Sequence, residues 1–161
     1  VEEDEFIDKD LTMREYLSEI ISSFKEISKK NFIFNFDQYS NIKKITKSIE
    51  IVYGLRNFIG NANKFSKETI YITLKSDSEM TEIIIEDDGN GYPRDVLSKI
   101  GEPYLRSKDP VEKSKTGLGL GLFIGKTLLE KNFASINCRN SKTRSGAEVI
   151  IKWSNKDLFN I

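Results

Sequence analysis

The sequence predicts an α+β fold, a two-layer α/β sandwich with helices on one face of a mixed sheet. Three observations point there: long segments with the apolar period of a helix, shorter segments with strand alternation, and an order that mixes the two kinds rather than strictly alternating them. A length of 161 residues suits one domain with a sizeable buried core.

Residues 1–11 open with VEEDEFIDKD and read as a solvated acidic linker from an upstream domain, so the folded unit is expected over 12–161. The first residue is Val rather than Met, which fits a piece of a longer chain. Thr12 and Glu15 have the spacing of a capping box. Met13, Tyr16, Leu17, Ile20, Ile21, Phe24 and Ile27 then share one helical face, ending near Lys30. NFIFNFD at 31–37 alternates apolar and polar residues, as a half-buried strand does. Ile42, Ile45, Ile49, Val52, Ile59 and Ala62 mark a second helix across 42–64.

TIYITLK at 69–75 and TEIIIE at 81–86 are strands around a polar turn containing Ser76, Asp77 and Ser78. DDGNGYP at 87–93 is a break, and Pro93 suits a first helical turn with Val96, Leu97 and Ile100 behind it. GEPYLRSKDPVEKSKT at 101–116 has two prolines, many charges and no periodicity, the marks of a long loop. A helix is expected from about Gly119, with Leu120, Phe123, Ile124, Leu128 and Leu129 facing inward. Residues 134–153 read as a hairpin, ASINCRN and AEVIIKW around a turn near Ser145–Gly146.

Composition narrows the chemistry. The 25 Lys and Arg balance 25 Asp and Glu, so a nucleic-acid binder working by bulk phosphate neutralisation is not expected. The single cysteine, Cys138, excludes an internal disulfide and a Cys-cluster zinc site, and reads as a small strand residue in a reducing compartment. With no histidine, His-dependent triads and a histidine phosphoacceptor are absent from these residues. No run of about 18 apolar residues offers a membrane span.

Three stretches could carry chemistry. Asn57 and Asn61 lie four apart on one helix face, and an amide oxygen is a neutral, hard ligand suited to Mg²⁺. Lys64, nearly two turns from Asn57, could reach phosphate oxygens. The same residues also fit a solvated polar face. Asp87–Asp88–Gly89–Asn90–Gly91 follows a strand. A carboxylate there can accept a base N–H, and glycines let the backbone approach a flat ring; a plain turn fits as well. Gly117, Gly119 and Gly121 alternate at a helix start, where exposed N–H groups and the helix dipole attract an anion such as a triphosphate. A flexible hinge would use the same glycines. Membrane-helix dimerisation through Gly117, Gly121 and Gly125 is excluded, because the apolar run ends at Lys126.

In this order the stretches resemble the ATP-binding catalytic domain of bacterial sensor histidine kinases, within the GHKL superfamily. Asn57, Asn61 and Lys64 match its N box, Asp87, Gly89 and Gly91 its G1 box, and Gly117, Gly119, Gly121 and Leu122 its G2 box. GEPYLRS stands at the F box, with Tyr104 in place of the usual Phe. YGLRNFIGNA, IGEPY and GLGLGLFIGKTLLE look most like the redox-responsive RegB/PrrB type. The resemblance covers about 52–153.

It implies the Bergerat ATP-binding sandwich, ATP and Mg²⁺ as ligands, and roles for single residues. Asp87 would accept the adenine amino group, Asn61 would hold Mg²⁺, and Lys64 would contact phosphate. Residues 102–116 would form an ATP lid carrying Arg106, Lys108 and Lys115, which Gly117, Leu118, Gly119, Leu120, Gly121 and Leu122 would close onto the nucleotide. Asn57 stands where hydrolysing relatives carry Glu, so slow hydrolysis and competent transfer to a neutral imidazole are expected. The implied partners are a histidine-bearing dimerisation domain of the same kinase and, indirectly, a response regulator. The domain alone is expected to be a cytoplasmic monomer, and its parent a dimer that can be membrane-bound. A GHKL-type ATPase switch, an anti-sigma-type serine kinase and a non-catalytic, nucleotide-sensing interaction module are the alternatives on the same fold.

Overall fold

The computed structural model describes residues 10–37, 43–46, 48–98 and 118–159, with the side chains of 118–120 excepted. Its elements are β1 (Leu11–Thr12), α1 (Met13–Lys25), β2 (Asn31–Phe36), β3 (Lys44–Ile45), α2 (Ile49–Phe65), β4 (Thr69–Ser76), β5 (Met80–Asp87), α3 (Arg94–Leu97), α4 (Leu118–Lys131), β6 (Ser135–Asn140), β7 (Ala147–Ser154) and α5 (Asn155–Leu158). Five strands form one sheet in the order β2-β4-β5-β7-β6. β2 runs parallel to β4, and every other pair is antiparallel. The sheet is therefore mixed, and the α+β expectation holds.

Alternation along the strands makes the two layers. Ile70, Ile72 and Leu74 of β4 and Ile83 and Ile85 of β5 point to one face and are almost fully buried. Helices cover that face: Tyr16, Leu17 and Ile20 of α1 and Leu55, Phe58 and Ile59 of α2 complete the core. The opposite face is polar and half exposed, and cross-strand pairs such as Arg139–Glu148 and Lys152–Glu82 cover it.

The helix starts show how local chemistry sets boundaries. Thr12 caps α1 in the expected box: its hydroxyl accepts from Glu15 N, and the Glu15 carboxylate accepts from Thr12 N. α1 ends at Lys25 rather than near Lys30, and Ile27 is 82% exposed. α2 begins at Ile49, not at 42, because Ser48 caps it by accepting from Ile51 N. Ile45, which continued the apolar period, instead pairs with Leu11 in the small β1–β3 ladder. Leu11, read as the end of the solvated linker, is buried there. Helical spacing in the sequence thus ran across a strand residue that tertiary pairing claimed.

α4 runs from Leu118 to Lys131 as expected, but its inward line is Leu122, Gly125 and Leu129, while Phe123, Ile124 and Leu128 are half-buried. α2 and α4 approach closely through missing side chains. A Cβ on Gly54 would stand 2.7 Å from Leu129, and one on Gly125 2.8 Å from the Phe58 ring. Among the described residues no helix is long and apolar enough to cross a membrane.

Candidate nucleotide-binding site

The end of β5, the middle of α2 and the start of β7 meet in a pocket that is open on one side to solvent. Asp87 ends β5 on the buried face, since it continues the alternation of Ile83 and Ile85. Its side chain is 4% exposed. Gly89 N and Ala147 N both donate to Oδ1, at 2.8 and 3.3 Å. Burial raises the Asp87 pKa above the ordinary carboxylate value, and the two backbone donors oppose that rise. Phe58, Ala62, Phe65, Ile85 and Val149 make the apolar walls. A buried carboxylate in an apolar slot suits a flat ring with an exocyclic N–H.

Neighbouring residues hold that geometry. Asp88 faces the other way: its oxygens accept from the backbone N–H of Lys67, Glu68 and Thr69 at 2.8–3.2 Å and tie the start of β4 to the end of β5. Despite some burial, those donors hold its pKa below the ordinary value. A Cβ on Gly89 would collide with Phe65 O, and one on Gly146 with both O and Oδ1 of Asp87. Gly91 has φ +78°, the left-handed region that favours glycine.

Asn61 and Gly91 line the same pocket as Asp87. Asn61 Nδ2 is buried without a hydrogen-bond partner. Gly121, two residues into the described part of α4 from Gly119, packs on that amide, where a Cβ would stand 3.0 Å from Oδ1. Leu122 is fully buried in the core. The helical backbone of Leu118, Gly119 and Leu120 forms the first turn of α4.

Of the expected members, Gly89, Gly121 and Leu122 pack behind the pocket lining, and Asn57 and Lys64 stand apart from it. Asn57 is half-buried one turn earlier, and its Nδ2 donates to Tyr53 O at 2.7 Å. Lys64 is exposed with Nζ 5.5 Å from the Phe65 ring centroid. Tyr104, Arg106, Lys108, Lys115 and Gly117 lie outside the described residues.

The sequence reading missed other members. Tyr92, Ala147 and Val149 line the pocket, and Gly146, read as a plain hairpin turn, is packed on Asp87. Lys30 also went unnoticed: its Nζ donates to Asn63 O and, at 2.7 Å, to Ser66 O, capping the C-terminal end of α2. Only the glycine in Ser145–Gly146 left a trace in the sequence, because the others act through contacts between distant positions.

A mixed sheet with helices on one face and a pocket between α2, β5 and β7 is the sandwich layout of histidine-kinase catalytic domains. The family model described as histidine kinase-, DNA gyrase B- and HSP90-like ATPase matches residues 46–157, and the chain belongs to that family. It is 38% identical over 124 residues to the sensor histidine kinase RegB of Cereibacter sphaeroides, which covers 68% of this chain and 27% of RegB. Over 99 residues it is 29% identical to the sensor protein RstB of Escherichia coli, covering 62% of this chain and 23% of RstB. Its fold matches a mycobacterial sensor histidine kinase, MprB, with a TM-score of 0.74 at 20% identity over 91% of this chain and 97% of that one. It matches the catalytic domain of the histidine kinase ThkA with a TM-score of 0.71 at 21% identity over 91% and 95%. The chain thus spans about a quarter of the length of these two curated relatives.

Proposed function

We propose that this chain is the catalytic domain of a two-component sensor histidine kinase, transferring the γ-phosphoryl group of ATP to a histidine on a dimerisation domain of the same kinase, with a response regulator downstream. The observation that carries the nucleotide part is the buried Asp87 carboxylate at the end of an apolar slot. Both backbone donors go to Oδ1, which leaves Oδ2 to accept an adenine amino hydrogen.

The residues present fit Mg²⁺ at the phosphate end. Asn61 Nδ2 has no protein partner, so the amide is not locked by the fold and can turn Oδ1 toward a cation. Gly121 leaves room for that amide. When bound, Mg²⁺ supplies charge neutralisation of the phosphate oxygens. Asn61 would hold it, and Lys64 and the first turn of α4 would add positive potential on the same side. Asn57 carries an amide, which cannot deprotonate water, so hydrolysis by this domain is slow. ATP and Mg²⁺ are cytoplasmic pools, and the domain acts in that compartment.

Mixing the domain with a separately made histidine-bearing helical partner and labelled ATP tests the reaction. Acid-labile, base-stable label on the partner is the expected result. Label on serine, or brisk ATP hydrolysis without transfer, overturns the proposal.

A further inference from the structure

The loop after Asp87 is gripped from a strand two places away in the sheet. Asn140 ends β6, and its amide meets both backbone polar groups of Tyr92: Oδ1 accepts from Tyr92 N at 2.6 Å, and Nδ2 donates to Tyr92 O at 3.1 Å. The amide thereby replaces a strand partner for a single loop residue. The Tyr92 hydroxyl lies toward the same strand, where it and the buried Cys138 thiol influence each other's titration. Cys138 and Asn140 are two residues apart and share one face of β6. Tyr92 is 9% exposed and forms part of the pocket wall beside Asp87 and Asn61, whereas Asn140 is not part of that wall. The Asn140 amide also crowds Gly91, where a Cβ would stand 2.7 Å from Oδ1, so the left-handed turn and the clasp are fitted to each other.

We propose that Asn140 is a positioning residue for the nucleotide pocket: by clasping the Tyr92 backbone it fixes the wall against which the base lies, without touching the nucleotide itself. The inference rests on the nucleotide reading above. Loss of the two hydrogen bonds frees the Gly91–Tyr92 loop and loosens the base end of the pocket. The phosphate end, built from α2 and α4, is unaffected.

Calorimetric titration of the wild-type domain, Asn140→Ala and Asn140→Asp with ADP and with inorganic triphosphate tests this. Asn140→Ala is expected to weaken ADP about tenfold, on the scale of one to two lost hydrogen bonds. Inorganic triphosphate should bind unchanged, and Asn140→Asp, which keeps the acceptor for Tyr92 N, should fall between. Equal fractional losses for both ligands, or none for ADP, overturn the proposal. If Asn140→Ala does not fold, amide exchange in the wild-type domain decides: the Tyr92 N–H must be protected, and rapid exchange overturns the clasp. A wild-type domain that binds no ADP sinks the nucleotide reading, whereas ADP binding indifferent to Asn140 sinks this inference alone.

Discussion

Asp87 shows what a single side chain does when burial and hydrogen bonding pull against each other. Its raised pKa means that the free pocket holds a destabilised carboxylate. Replacing it with Asn keeps an acceptor for Gly89 N and removes the buried charge. Asp87→Asn is therefore expected to leave the melting temperature at or above that of the wild type. ATP affinity should fall roughly 10- to 150-fold, since a hydrogen bond to a charged group contributes on the order of 1.5–3 kcal/mol. ATP affinity should also weaken on acidification from a higher pH than an ordinary aspartate would give, because binding needs the ionised form; calorimetry across pH 4–7 reads this. Asn61→Ala is expected to cost more affinity with Mg²⁺ than without it, and equal losses would remove the metal role.

Cys138 titrates in the opposite pH range. Burial pushes its thiol up to about 12. The unfolded chain releases this proton near pH 9 and the folded chain does not, so stability falls between about 9 and 12. The native thiol is expected to resist disulfide reagents at pH 8 and to react once denaturant is added. Asp87 and Asn61 were legible in the sequence because their residue types fit a chemistry at a recognisable spacing. Tyr92 and Asn140 were not, because one backbone clasp spans 48 positions.

At the scale of elements, the contact between α2 and α4 decides much of the geometry. The glycines of α4 looked like a phosphate loop, and the four-residue spacing of Gly121 and Gly125 also serves close helix packing. A side chain at position 125 would strike Phe58, whose ring lines the pocket. Gly125→Val is expected to destabilise by about 1–3 kcal/mol, the usual range for overpacking. Gly60 lies in the same helix as Phe58, but a Cβ there would meet only the Phe24 ring, at 3.4 Å. Gly60→Ala should therefore gain up to about 1 kcal/mol from helix propensity. Urea denaturation of both variants checks the contrast. Strand positions were legible because their period is short and the buried face is consistently branched. The start of α2 was not, since Ile45 kept the helical beat while pairing with Leu11.

Across the whole molecule, the fold class could be read because helical and strand patterns were well separated along the chain. The parallel placement of β2 could not, because a parallel neighbour depends on a crossover rather than on any local turn. β2 pairs with β4 only through the crossover containing α2, whereas β4, β5, β7 and β6 join antiparallel neighbours. As an edge strand, β2 rests on a single ladder, and Ile33 and Phe36 remain 43% exposed. Native-state hydrogen exchange should accordingly resolve two tiers, with amides of β2 opening at lower free energy than those of β5. Refolding should close the antiparallel nucleus before this strand docks, since its ladder must await closure of the longer loop. The N-terminal edge of the domain would then be the part that yields first under mild denaturant, while the nucleotide pocket stays assembled.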